Sequence, residues 1–205
     1  MLGDKTIKDF LEETASKSPV PGGGSIAAMS AGVATALTEM VANLTIGKKG
    51  YEDIQEEMVE IASILPNIRE SFIEDIDRDA ESFNRVMDAF KMPKNTDEEK
   101  KERKNAIQDS MKNAALIPLE VAQKAFDTMQ HISKVVEKGN KNAVTDGAVA
   151  AMMARTAVLS ALFNVKINLS SIKDEEFVKM VSGKVKKLEI EINNLEKDIL
   201  SKVDL

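Results

Sequence analysis

The chain has 205 residues, 43% hydrophobic and 30% charged, enough for a globular domain with a real core. A net charge of −6 supplies no basic excess to neutralise phosphates, which argues against nucleic acid as a partner. The absence of cysteine removes disulfides, thiol nucleophiles and zinc–thiolate sites together. The polar start, Met1-Leu2-Gly3-Asp4-Lys5, has no apolar h-region, so a cytoplasmic protein is expected.

No segment reads as a strand. From Asp4 to Ser18, Ile7, Phe10 and Leu11 form one helical stripe that Pro19 ends. Then comes Pro19-Val20-Pro21-Gly22-Gly23-Gly24-Ser25. Prolines stiffen the approach, glycines permit φ above zero, and Ser25 reads as the N-cap of a small-residue helix running to about Ile46. A glycine turn entering a helix leaves backbone N–H groups free, which suits a ligand's anionic or carbonyl oxygen; a plain inter-helix loop is the alternative. The Ser25–Ile46 stretch is long enough for a bilayer, but Glu39, Asn43 and several hydroxyls favour a buried helix and no membrane partner. Gly47-Lys48-Lys49-Gly50 breaks it.

From Ile54 to Phe90, eleven positions recur at steps of three and four, the α-helical period, with Pro66 off the seam. Met92-Pro93 ends that helix. Thr96-Asp97-Glu98-Glu99 reads as a capping box opening a helix to about Lys138, with Pro118 inside and Gly139 as its stop. Thr145 is expected to cap a second small-residue helix, Gly147 to Leu169, and Asp174 to Val203 forms an amphipathic partner helix. Small side chains let helix axes approach closely, so the two small-residue helices are expected at the centre of an all-α bundle, with long kinked helices flanking them. The expectation is one domain over residues 1–205.

Polar residues on otherwise apolar faces carry the functional signal, because burial without a partner costs roughly 1–3 kcal/mol. Glu39 and Asn43 share a face, as do Asn164 and Asn168; core hydrogen bonds would explain the asparagines equally well. Asp79 is the one charge on the long seam. Either it pairs with Arg155, or an apolar setting lifts its carboxyl pKa toward that of a general acid or base. Lys48 and Lys49 on their turn suit carboxylates, and Tyr51 beside them could stack on a flat ring, although loop lysines are usually only solvated. Asp146 lies in a helix first turn, where the dipole favours a carboxylate, and His131 reads as structural. The glycine run lacks the Lys-Ser/Thr of a Walker A loop and follows no strand, so neither nucleotide fingerprint fits. One histidine excludes a ferritin-type di-iron site, and Ser25 has no histidine base nearby. No metal is expected.

Several motifs in order resemble the cyclodeaminase/cyclohydrolase family, the C-terminal half of formiminotransferase-cyclodeaminase and its stand-alone bacterial relatives. They are Pro19–Ser25, Met40-Val41-Ala42-Asn43-Leu44-Thr45, Gly47–Tyr51, Asp79, Phe83-Asn84-Arg85-Val86-Met87, Ala89–Lys94, Gly139–Asn142, Thr145-Asp146 and Asn164–Leu169. The resemblance implies an all-α homodimer with a tetrahydrofolate derivative as substrate and no cofactor. One family reaction closes 5-formiminotetrahydrofolate to 5,10-methenyltetrahydrofolate with loss of ammonia, as in histidine degradation. The other hydrates the methenyl carbon to 10-formyltetrahydrofolate. A non-catalytic folate-binding or assembly protein is a third possibility. The implied catalytic candidates are Asp79 and, second, Asp146. The implied binding residues are Gly22, Gly23, Gly24, Ser25, Asn43, Asn142 and Asn168 around the pterin or one-carbon unit. Lys48, Lys49 and Arg155 are implied at the glutamate carboxylates, and Tyr51 at a ring.

Overall fold

A computed structural model describes residues 1–204 and contains no strand among them. Its helices are α1 (Ile7–Thr14), α2 (Gly23–Asn43), α3 (Gln55–Lys91), α4 (Asp97–Lys138), α5 (Val144–Leu169) and α6 (Glu175–Ser201). Short 3-10 turns at Leu2–Asp4, Glu52–Ile54 and Lys141–Ala143 precede α1, α3 and α5.

The caps explain most boundaries. Thr96 Oγ1 accepts from the Glu99 N–H while the Glu99 carboxylate accepts from the Thr96 N–H, the expected reciprocal box. Thr6 and Asp174 cap α1 and α6 in the same way, each accepting from the N–H three residues on. Pro66 and Pro118 both lie inside unbroken helices.

Two sequence expectations fail at helix starts. Ser25 does not cap α2; Gly22 does, and Ser25 is the third helical residue, fully buried. Thr145 does not cap α5. The Asn140 side chain accepts from the Asn142 N–H and donates to the Leu44 carbonyl, docking this corner on the end of α2, and α5 already starts at Val144.

The small-residue helices do form the centre. Helices α2 and α5 lie side by side and antiparallel: Gly23 meets Asn164 at one end, Asn140 meets Leu44 at the other. Both are long and apolar enough to cross a membrane by length and composition. Here, however, Ala27, Ala28, Ala34 and Val41 of α2 and Ala150, Ala154, Ala157 and Ala161 of α5 are buried in the bundle. Behind them runs α4, with α3 flanking α2 and α6 flanking α5. Gly147 sets the α4–α5 spacing, since a Cβ there would lie 2.7 Å from Val136 Cγ2. The fully buried charge is Asp75, not a seam residue. It faces α4, where it pairs with Lys124, and it also pairs with Arg78 at 2.6 Å.

Candidate active site

At the end of the bundle where α2 begins, a cavity of about 330 Å³ opens between α2, α3, α4 and α5. Pro19 and Gly22–Gly24 form one wall. Asp79, Ser82, Phe83 and Val86 come from α3, Met111 and Ala114 from α4, Asn164, Ile167 and Asn168 from α5.

Asp79 sits against the first turn of α2. Its Oδ2 accepts from Ser25 Oγ at 3.2 Å; that hydroxyl also lies 3.0 Å from the Ile76 carbonyl. Burial raises the Asp79 carboxyl above the ordinary carboxylate range; hydrogen bonds from the Ser25 side chain and backbone N–H pull the other way without cancelling it. The result is a carboxyl group poised to hold a proton at the edge of a cavity. The alternative expectation, an Asp79–Arg155 ion pair, does not occur: Arg155 pairs across to α6, with Asn193 at 2.8 Å and Glu196 at 3.0 Å.

The glycines line the cavity as expected, but not through a left-handed backbone. None of Gly22–Gly24 has positive φ; the left-handed glycines are Gly47 and Gly50, which close the Gly-Lys-Lys-Gly turn. Gly24 matters for space. A Cβ there would overlap the carboxyl of Asp79. Gly24, at the N-terminal turn of α2, is therefore the surface on which the Asp79 carboxyl rests.

Two amides complete the polar lining. Asn168 Nδ2 donates to the Ala114 carbonyl at 2.7 Å, and Asn164 Nδ2 to the Ser160 carbonyl at 2.9 Å. Asn164 carried its spacing with Asn168 in the sequence. Ser82, Met111 and Ala114 had no signal there, because only the packing of α3 and α4 against α5 turns them inward.

The remaining candidates lie elsewhere. Asn43 borders a separate, open hollow with Met40 and the Glu39–Arg69 ion pair. Lys48 and Lys49 occupy the turn after α2, and the Tyr51 hydroxyl accepts from the Lys141 N–H at 3.0 Å, beside Asn142. Asp146 is in the first turn of α5 at that same end. The length of α2, about 30 Å, separates this group from the Asp79 cavity. Asp79, Gly22–Gly24, Ser25 and Asn168 thus come together, whereas Asn43, Lys48, Lys49, Tyr51, Asn142 and Asp146 lie toward the opposite end of α2. His131 is on α4, partly buried, with its pKa lowered by that burial first.

Known proteins place this arrangement in a family. The chain is 38% identical to a methenyltetrahydrofolate cyclohydrolase of Methylorubrum extorquens, over 86% of this chain and 85% of that one. It is 33% identical to the formimidoyltransferase-cyclodeaminase of Gallus gallus over 91% of its own length, but spans only 35% of that protein. A crystal structure of formiminotetrahydrofolate cyclodeaminase from Thermotoga maritima superposes with a TM-score of 0.88 at 31% identity, covering 99% of this chain and 98% of that one. The family model described as formiminotransferase-cyclodeaminase matches residues 6–187. The chain belongs to the formiminotransferase-cyclodeaminase family.

Proposed function

We propose that the Asp79 cavity binds a tetrahydrofolate derivative and carries out acid–base chemistry on its one-carbon unit. The observation that carries this is a carboxyl group raised in pKa by burial, held by Ser25 against α2, and facing a cavity of ligand size. Names of two full-length relatives, a cyclohydrolase and a cyclodeaminase, support the substrate class.

In the first reading the chain is a formiminotetrahydrofolate cyclodeaminase. N10 attacks the carbon of the formimino group, whose terminal nitrogen is protonated, forming the C–N10 bond. Asp79 takes the N10 proton and passes it to the departing nitrogen; the C–N bond breaks, and ammonia and the methenyl product leave. A group whose pKa lies nearer neutrality serves both directions of that relay. The second reading is methenyltetrahydrofolate cyclohydrolase, favoured by the 38% identity to a named cyclohydrolase of similar length. There Asp79 takes one proton from the attacking water and returns it to N5 as the C–N5 bond opens, while the remaining O–H proton of the adduct is released to solvent as the formyl C=O forms. Purified protein given each substrate separates them: ammonia release with rising methenyl absorbance marks the first, loss of methenyl absorbance the second. Turnover of neither, with Asp79→Asn indistinguishable from wild type in folate binding, overturns both and favours a non-catalytic role.

The reading includes a homodimer. Helices α2 and α5 turn a joint apolar strip outward, with Val33, Met40 and Leu44 on one and Val149, Met152, Phe163 and Ile167 on the other. Phe163 and Ile167 are each 67% exposed, and Ile167 also lines the cavity, so the strip runs to the mouth of the site. A second copy related by a two-fold perpendicular to these helices would cover the strip. It would lay the partner's α2 antiparallel and bring the partner's Lys48 and Lys49 toward the cavity. The two residue clusters, about 30 Å apart along one α2, would then form one site.

A further inference from the structure

Proline 118 sits inside α4, where an interior proline is costly, and it is buried. Its ring nitrogen has no hydrogen, so the carbonyl four residues earlier, Ala114, lacks its helical donor. That carbonyl lines the cavity wall and is taken by Asn168 Nδ2 at 2.7 Å. A carbonyl accepts only, so the nitrogen of the Asn168 amide must face it and the oxygen must face away. Asn164, one turn earlier, is fixed in the same sense by donating to the Ser160 carbonyl. Among the described residues neither Oδ1 has a hydrogen-bond partner, and neither is a buried unpaired atom, so both are open to the cavity they line.

We propose that Pro118 is a positioning residue for substrate binding: by freeing the Ala114 carbonyl it locks Asn168 as an acceptor, which with Asn164 reads an N–H edge of the substrate. On the proposed function, which this inference rests on, the complementary edge is the aminopyrimidinone of the pterin, with N–H donors on its exocyclic amine and neighbouring ring nitrogen. The glycine wall and the two amides thus divide the work: Asp79 on Gly24 moves protons, and the α5 amides hold the ring by its donors.

The test is a double-mutant cycle on steady-state kinetics with the folate substrate. Pro118→Ala restores an N–H to Ala114, so Asn168 loses its anchor. We expect KM to rise roughly three- to tenfold with kcat within about twofold, the range of one neutral hydrogen bond made equally in ground and transition states. Asn168→Ala should raise KM as far, and Pro118→Ala in that background should add nothing. Unchanged KM in Pro118→Ala, or multiplicative effects in the double variant, overturns the proposal. If Asp79→Asn abolishes turnover while these variants leave KM alone, this inference falls and the function stands. If Asp79→Asn turns over normally and none of the cavity variants moves KM, the function falls with it.

Discussion

Replacing Gly24 with alanine isolates the contact on which Asp79 rests. All three atoms of the Asp79 carboxyl lie inside van der Waals distance of where the new Cβ would stand, with Oδ2 at 2.6 Å. Restoring a separation of about 3.5 Å moves the carboxyl by roughly 1–1.5 Å. The move weakens the hydrogen bond from Ser25, worth about 1–3 kcal/mol to a charged acceptor. Against that, alanine in place of glycine within a helix gains up to about 1 kcal/mol. The net loss of stability is therefore between about 0 and 3 kcal/mol, or a fall in Tm of up to roughly 12 °C for a chain of this size. Activity is far more sensitive, because a misplacement of about 1 Å at a proton-transfer group costs on the order of a hundredfold. Initial rates on both folate substrates, beside a melting curve, measure the two effects together. Gly23→Ala is the control: its Cβ would meet Asn164 Nδ2 at 3.2 Å, a side-chain end that yields by a few tenths of an ångström. We expect Gly23→Ala to act mainly on KM, through Asn164, and to keep kcat within a few-fold. Gly24→Ala with more than half of wild-type turnover would refute the argument that the glycine exists to seat Asp79.

Asp79→Asn should lower kcat by about 10²–10⁴-fold, and it also has a stability signature. The raised Asp79 pKa means the native state holds its proton over a window beginning at the ordinary carboxylate range near 4 and extending upward, so wild-type stability falls as pH rises through that window. Asparagine cannot ionise; the stability of the variant minus that of wild type should grow from pH 4 to pH 8, and a constant difference in urea midpoints would contradict the assignment. Met152→Glu with Phe163→Glu puts charge on the uncovered strip, so sedimentation should show monomers; an unchanged dimer would place the interface elsewhere. Mixing Asp79→Asn with a Lys48→Ala, Lys49→Ala double variant should restore activity through hybrid dimers carrying one intact site, and no recovery above the two parents would separate the lysines from the site. Lys124→Ala leaves the buried Asp75 with Arg78 alone, so a loss of about 3 kcal/mol and a Tm fall of roughly 6–12 °C are expected, with unaltered kcat per folded molecule.

Periodicity and capping chemistry act within a few turns of chain, and so the helices were legible in the sequence. The long α3 seam, the Thr96–Glu99 box and the Gly139 stop all appear where local rules put them. Asp79 was legible for a related reason: a charge on a seam that must be buried is conspicuous without any partner in view. The starts of α2 and α5 were not, because Ser25 is drawn inside by the carbonyl of Ile76, 51 residues away, and the corner before α5 by the carbonyl of Leu44. Only the tertiary packing decided that Gly24 faces a carboxyl group rather than open space, that Arg155 belongs to α6, and that Asn168 answers the carbonyl which Pro118 leaves free. The sequence by itself determined the helices and set Asp79 on a face that packing would bury. Which side chains meet at that residue depends on contacts between helices far apart in the chain, and no period or cap encodes those.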